Sequence, residues 1–303
     1  MSLRIAILSG GISSEREVAL ESAASVKQAI GKRAAATVFD FPKDIDAFLA
    51  RRSEFDCAIP VFHGRGGEDG TVQGFLETLG MPYIFSGVSA QALAIDKVKT
   101  NKLVTANGIH VPPSITIKSS MKATWVHDVV TKPVDGGSSV GISIAHNQKE
   151  LDRGIHEAAK WSTEILIEDY IAGREFSVAV IDIDGKTEAL PVVSIESKHE
   201  FFDYQSKYEV GLANEVCPAD IPKELSRQLQ QTALTVHRTI GARHVTRSDF
   251  IVDANQEIWF LDVNTIPGMS VLLPMPIRAS GRDFGEVLMG WVEEAVRLKN
   301  SDD

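Results

Sequence analysis

Asp249, Asp262 and Asn264 offer three oxygen donors with no Cys or His beside them. Two carboxylates and an amide oxygen suit a hard cation such as Mg²⁺ rather than zinc. Mg²⁺ held by a few carboxylates fills its remaining positions with water or substrate phosphates. Arg247 stands just before the first acid, and Asn264-Thr265-Ile266-Pro267-Gly268-Met269 follows the last. The acids therefore have a cation and a Gly-containing backbone turn as neighbours. Taken alone, an acidic hairpin is more often a solvated surface feature.

A second group surrounds Lys132. It enters Pro133-Val134-Asp135-Gly136-Gly137-Ser138-Ser139-Val140-Gly141. Clustered backbone N–H groups and the hydroxyls of Ser138 and Ser139 suit a polyphosphate, and the lysine adds a point charge. This is not a Walker loop, because the lysine precedes the glycines and the terminal Gly-Lys-Ser/Thr is missing. Glu168, Asp169, Tyr170 and Ile171 close an apolar extended run and suit a linker lying against an adenine, with Glu175 reaching ribose hydroxyls. Lys97 and Lys99 read on their own as surface charges. Lys207 and Tyr208 end a polar, aromatic stretch, 198–208, that has little periodicity and reads as a long loop of the kind that forms lids.

The third group lies near the start. Ser9-Gly10-Gly11-Ile12-Ser13-Ser14-Glu15 is strand, glycine turn and helix start. Its spacing is not G-x-G-x-x-G, and a carboxylate at its mouth would repel phosphate, so Glu15 reads as a site for a ligand amine. Ser14 and Glu17 fit a capping box. His63 follows another apolar strand, and ligands of open α/β sheets bind outside the carboxyl ends of strands. A satisfied structural histidine is the alternative at position 63. Asp69 reads as a helix cap rather than an acid catalyst.

These groups need elements to hold them. Residues 3–8, 38–39 and 57–62 are apolar runs alternating with helical stretches at 18–30 and 45–52, which implies a parallel sheet with helices on it. Residues 81–85 read as a short strand, 95–99 as helical, and 176–183 and 189–194 as antiparallel strands. Helices are expected at 148–159, 222–240 and 284–298. Arg247 to Met269 reads as a β-hairpin turning at Asp253-Ala254-Asn255. The fold class is α/β, divided at 1–85, 86–172 and 173–303.

The chain has 303 residues, 44% of them hydrophobic, which is ample for two or three cores. With 31 basic against 41 acidic residues its net charge is −10, and it has no basic stripe, which argues against nucleic acid as partner. Cys57 and Cys217 fit no metal spacing and read as inert thiols in a reducing compartment. No run has the length of a membrane span, and the first residues have no signal-peptide layout. A cytoplasmic protein is expected.

Seven ordered motifs carry a resemblance: GGISSEREV, FHGRGGEDGTVQG, SGVSAQALAIDK, TKPVDGGSSVG, FFDYQSKY, TRSDF and DVNTIPGM. From Ile5 to about Ala295 the chain resembles the D-alanine–D-alanine ligases of the ATP-grasp superfamily. The resemblance implies three domains, with an N-terminal parallel sheet and ATP held between the central and C-terminal ones. It implies formation of D-alanyl-D-alanine for peptidoglycan precursors, with ATP converted to ADP and phosphate. Lys97 and Lys132 would contact the α/β-phosphates, with Ser138 and Ser139 in the loop above, and Lys207 the γ-phosphate. Glu168, Tyr170 and Ile171 would line the adenine, and Glu175 would bind the ribose. Asp249, Asp262 and Asn264 would hold two Mg²⁺ ions, with Mn²⁺ as substitute. Glu15 would take the ammonium of the first D-alanine, and His63 and Ser270 would also meet substrate. Arg247 and the Gly268 N–H would form the oxyanion hole, while Ser138 and Tyr208 would join Glu15 in a network to the lid. A homodimer is implied.

The sequence departs from the family at three places. Position 262 is Asp where Glu is usual. Ser270-Val271-Leu272 is shorter than the usual stretch and has Val271-Leu272 where a Ser-Leu pair binds the second substrate's carboxylate. The segment from Pro113 to Lys132 is also short. Tyr208, where some relatives have Phe, favours D-alanine over a D-hydroxy acid. Another acceptor, or nucleotide binding without ligation, are the alternatives.

Overall fold

The computed structural model describes residues 3–137, 140–197 and 213–302. Three sheets organise it. In the first, β1 (Arg4–Gly10), β2 (Ala35–Phe41) and β3 (Cys57–Val61) are parallel in the order β2-β1-β3. All five residues of β3 and all but the first of β1 are buried, as expected for strands covered on both faces. Helices α1 (Arg16–Ile30) and α2 (Ile45–Arg51) connect the strands, and α3 (Thr71–Thr78) follows β3.

Two short helices come next, α4 (Val88–Ile95) and α5 (Lys97–Ala106). The second sheet is antiparallel, with β4 (Ser114–Lys118), β5 (Val129–Pro133), β6 (Ser143–Ala145) and β7 (Glu164–Asp169) in the order β4-β7-β5-β6. Helix α6 (Gln148–Ala158) lays Leu151, Ile155 and Ala158 on it, against Val129, Ile165 and Ile167. The third sheet contains β8 (Gly173–Ile183), β10 (Val193–Ser197), β11 (Ala213–Val216), β12 (Val245–Asp253) and β13 (Ile258–Asn264) in the order β11-β10-β8-β12-β13, with β9 (Lys186–Ala189) on β8. Helix α7 (Lys223–Thr239) covers it through the Leu225, Leu229, Ala233 and Val236 stripe.

Helices α8 (Pro274–Ala279) and α9 (Phe284–Asp302) close the chain. Trp291, Leu288 and Val292 of α9 share one core with Ile5, Ile7 and Ile59 of the first sheet and with Ala179 and Val245 of the third. The last helix thus ties the first and third sheets together. A joint at Phe85 reinforces this: its N–H donates to His244 Nδ1 at 2.8 Å, and Arg243 Nε donates to its carbonyl at 2.6 Å.

The structure corrects five local expectations. Ser14 and Glu17 form no capping box; Ser13 Oγ instead accepts from Glu15 N–H at 3.2 Å and donates to the His63 carbonyl at 2.6 Å. Residues 81–85 make only one isolated bridge, Ala58 to Tyr83, because Phe85 turns to a left-handed φ of 74° and leaves the sheet edge. The helical stretch 95–99 is broken at Asp96, whose extended backbone and side-chain bond to Lys99 N–H start α5. Residues 189–194 are divided between β9 and β10. Asp69 is not the helix cap expected: Gly70 takes that position with no side-chain cap bond, and Asp69 instead orders the loop before α3, accepting from Thr71 N–H at 3.0 Å and Gly66 N–H at 2.7 Å. The reading of 198–208 as a lid lies outside the described residues. Among the described residues no helix is long and apolar enough to cross a membrane. Both cysteines are free, and burial pushes the Cys57 thiol up to about 12 and that of Cys217 to about 11.

Candidate active site

The hairpin β12–β13 places Asp249 opposite Asp262 and Arg247 opposite Asn264, with the register shifting between Asp249 and Phe250. Alternation puts Arg247 and Asp249 on one face of β12. Arg247 grips Asp249 with two bonds, Nε to Oδ1 at 3.0 Å and Nη2 to Oδ2 at 2.9 Å. Ser177, across on β8, adds a 2.6 Å bond to Oδ1. The acid and the base are therefore oriented by one another and by a neighbouring strand. Among the described residues no three His, Cys, Asp or Glu side chains cluster for a metal. The candidate cradle is the two carboxylates plus the Asn264 amide, a donor set that fits Mg²⁺ sharing its shell with phosphates.

A cleft lies between the second and third sheets. Lys132, Glu168, Tyr170 and Ile171 line it from one side, and Arg247, Asp249, Asp262 and Asn264 from the other. Glu175, His63, Gly268 and Ser270 border it too. Lys97, at the start of α5, is buried; its Nζ donates to the Gly136 carbonyl at 2.6 Å and pairs with Asp262 at 3.1 Å. Lys99 points outward and pairs with Asp96 at 2.7 Å, so the surface reading holds for Lys99 and fails for Lys97. Lys132 is paired with Glu168, both deeply buried, and Asn101 approaches the same carboxylate at 3.4 Å. Ser138, Ser139, Lys207 and Tyr208 lie outside the described residues.

Glu15, the N-cap of α1, is 2% exposed and is not among the residues that line the cleft. Arg16 anchors that corner with two 2.7 Å bonds to Asp40, while Gly10 and Gly11 take φ of 94° and 93° that only glycine adopts readily. A Cβ on Gly64 or on Gly137 would lie 2.6 Å from Glu15 Oε2, so the backbones of both glycine loops close around this carboxylate. His63 is buried, with Nε2 3.1 Å from Ser22 Oγ and a backbone hydrogen bond to Ile266. Burial, then the nearby Arg247 charge, push its pKa down to about 4, so it is a neutral ring. It therefore has protein partners of its own while it borders the cleft.

Sequence reasoning missed Glu68. It is buried beside Glu15 and accepts from Gly64 N–H at 2.9 Å and Ile266 N–H at 3.3 Å. Burial, then the Glu15 charge, push its carboxyl well above the usual range. Nothing in its spacing separated it from its neighbour Asp69, which read as a helix cap. Also missed were Ser177, and Val130 and Ile251 as apolar cleft walls. Strand alternation could have found the last two, since they stand two residues from Lys132 and Asp249.

Two facing sheets with buried lysines on one side and oxygen donors on the other define an ATP-grasp enzyme. The chain matches the family model for the D-ala D-ala ligase C-terminus over residues 97–293 and that for the N-terminus over 40–86. It is 38% identical over 291 residues to the D-alanine–D-alanine ligase of Syntrophotalea carbinolica, covering 94% of this chain and 93% of that one. It is 36% identical over 294 residues to that of Geobacter sulfurreducens, covering 94% and 92%. Among solved structures, the Bacillus anthracis D-alanine–D-alanine ligase complexed with ATP superposes with a TM-score of 0.83 at 27% identity, covering all of both chains. The VanG D-Ala:D-Ser ligase of Enterococcus faecalis gives 0.79 at 28%, covering 97% of this chain and all of that one. The chain belongs to the D-alanine–D-alanine ligase family.

Proposed function

We propose that this protein joins two D-alanine molecules into D-alanyl-D-alanine, converting ATP to ADP and phosphate through an acyl phosphate. One observation carries the reading: in a chain of this family, Lys97, Lys132 and Glu168 share a cleft with Asp249, Asp262, Asn264 and Arg247. A carboxylate is a poor electrophile and must first be activated. Glu15 would hold the ammonium of the first D-alanine, its charge kept close by the two glycine loops around it. The carboxylate oxygen of that substrate attacks the γ-phosphorus, forming the acyl phosphate and releasing ADP. Lys97 and Lys132 would neutralise the α- and β-phosphates, with Lys207 on the γ-phosphate. Asp249, Asp262 and Asn264 would hold two Mg²⁺ ions, or Mn²⁺, which when bound supply charge neutralisation on the transferring phosphoryl group.

The amine of the second D-alanine then attacks the acyl carbon, and phosphate leaves. Arg247, oriented by its two hydrogen bonds to Asp249, and the Gly268 N–H would receive the charge on the tetrahedral oxygen. Loss of one such donor typically costs about 3 kcal/mol of barrier. Ser138 and Tyr208 would link Glu15 to a lid that keeps water away from the acyl phosphate. The product would serve peptidoglycan precursor synthesis in the cytoplasm, with the enzyme as a homodimer.

A second acceptor is favoured by one feature: exposed Ser270 and Val271, 45% exposed, border the cleft where this family usually has a serine for the acceptor carboxylate. The test is phosphate release and dipeptide formation from ATP across D-alanine, D-serine and D-lactate. Turnover with D-alanine alone is expected. Turnover only with another acceptor transfers the assignment to it, and ATP binding without amino-acid-dependent ADP release makes the protein a nucleotide-binding relative.

A further inference from the structure

The turn from Ile266 to Met269 belongs to the third sheet's hairpin, yet side chains from the first 85 residues hold it. Glu68 Oε1 accepts from Ile266 N–H at 3.3 Å, and His63 makes a backbone hydrogen bond to the same residue. Ser22 Oγ accepts from Met269 N–H at 3.3 Å, and Ser25 Oγ donates to the Met269 carbonyl at 2.7 Å. Ser22 and Glu68 are themselves tied to the His63 loop, Ser22 through His63 Nε2 at 3.1 Å and Glu68 through Gly64 N–H at 2.9 Å. Gly268, between these fixed points, has no side chain, and a Cβ there would meet nothing within 4 Å. Packing at Gly268 itself therefore does not orient its peptide. The bonds on either side do.

We propose that Glu68 and Ser22 are positioning residues for acyl transfer, fixing the direction of the Gly268 N–H from the opposite side of the molecule. The inference rests on the proposed role of Gly268 as an oxyanion donor. It assigns to the first sheet a part in the chemistry distinct from holding a substrate: a donor preorganised by a neighbouring unit needs no reorganisation when charge develops. Both residues are more than 90% buried, and each accepts from the peptide of a residue one or two positions from Gly268. Neither lines the main cleft, although Glu68 shares a small adjoining pocket with Lys97, Asp262 and Asn264, so their effect should fall mainly on the second half of the reaction.

The test compares Ser22→Ala, Glu68→Ala and Glu68→Gln with the full-length wild type. In the two alanine variants kcat should fall tenfold or more while KM for ATP stays within twofold. Dipeptide formed per phosphate released should drop below one, because acyl phosphate forms and is lost to water. Glu68→Gln keeps one acceptor oxygen for the Ile266 N–H while losing the bond from Gly64 N–H, and should recover part of the loss. Amide hydrogen exchange over 264–272 should speed up at least fivefold in the alanine variants. Unchanged exchange there, unchanged coupling and kcat, or a Glu68→Gln variant as impaired as Glu68→Ala would overturn the proposal. If exchange speeds up but wild type shows no D-alanine-dependent phosphate release, the ligase reading fails while the positioning of the turn stands.

Discussion

Lys132 and Glu168 form a buried pair in the wall of the cleft, and each has been given a different part of the nucleotide. Removing one partner of a buried ion pair leaves an uncompensated charge and typically costs about 3–5 kcal/mol. Lys132→Ala should therefore lower stability by roughly that much, read as a shift in urea midpoint. Adding Glu168→Gln should restore most of the stability without restoring ATP affinity, which would separate the structural share of this pair from its share in binding. Asp249 differs. Its carboxylate is gripped by Arg247 and Ser177 on a strand that the sheet pairs on both sides. Asp249→Ala leaves the buried Arg247 without this partner and should also lower stability, yet it should fold with a near-native circular dichroism spectrum and lose turnover by at least a hundredfold. Activity near the wild-type level would remove both the metal assignment and the orientation of Arg247.

The elements were legible in the sequence where one local force dominates. Strands β1 and β3 are continuous apolar runs because both faces are covered, and α7 shows its stripe because one face packs on a sheet. The hairpin announced itself through two apolar runs around an Asp/Asn turn. Legibility failed where a distant contact decides. Residues 81–85 are apolar and β-like, but Arg243 and His244, far along the chain, draw Phe85 off the sheet. Lys97 and Lys99 look alike in sequence, and only Gly136 and Asp262 separate the buried one from the exposed one. The resemblance suggested roles for acids, lysines and glycines, but not for Glu68, although it lies inside a quoted motif, nor for Ser22 or Ser177, whose work is to hold backbone or another side chain. At Gly285 the start of α9 approaches α1 so closely that a Cβ would collide with the Ala29 carbonyl. Gly285→Ala should cost about 1–3 kcal/mol of stability by forcing the two helices apart. Thermal melting would measure it, with ATP affinity unchanged.

Over the whole molecule, two buried histidines should set the acid limit of stability. Burial holds His244 at about 3 and His63 at about 4, against an ordinary 6.5. The folded protein then binds fewer protons than the unfolded chain below pH 6.5, so this contribution is complete above 6.5 and is lost as pH falls toward 3–4. Glu68, shifted upward, acts in the opposite sense and loses stability as pH rises past the ordinary carboxylate range. Two groups against one should leave a net loss on acidification. His244→Asn should flatten that loss in melting curves taken between pH 4 and 7, since Asn tolerates the left-handed φ of 65° and can still accept from Phe85 N–H. An unchanged slope would move the acid sensitivity to other groups.

In the cleft, Lys97 faces Asp262, Lys132 faces Glu168 and Arg247 faces Asp249, so each of these cations is already paired with an acid. A polyphosphate drawing Lys97 away would strand Asp262 unless a divalent ion arrived to take it over. Nucleotide and metal should accordingly enter as mutual prerequisites, trading partners with the protein in a single exchange. Calorimetric titration with ATP should show far weaker binding in the presence of a chelator, and the deficit should shrink when Asp262 is replaced by Asn.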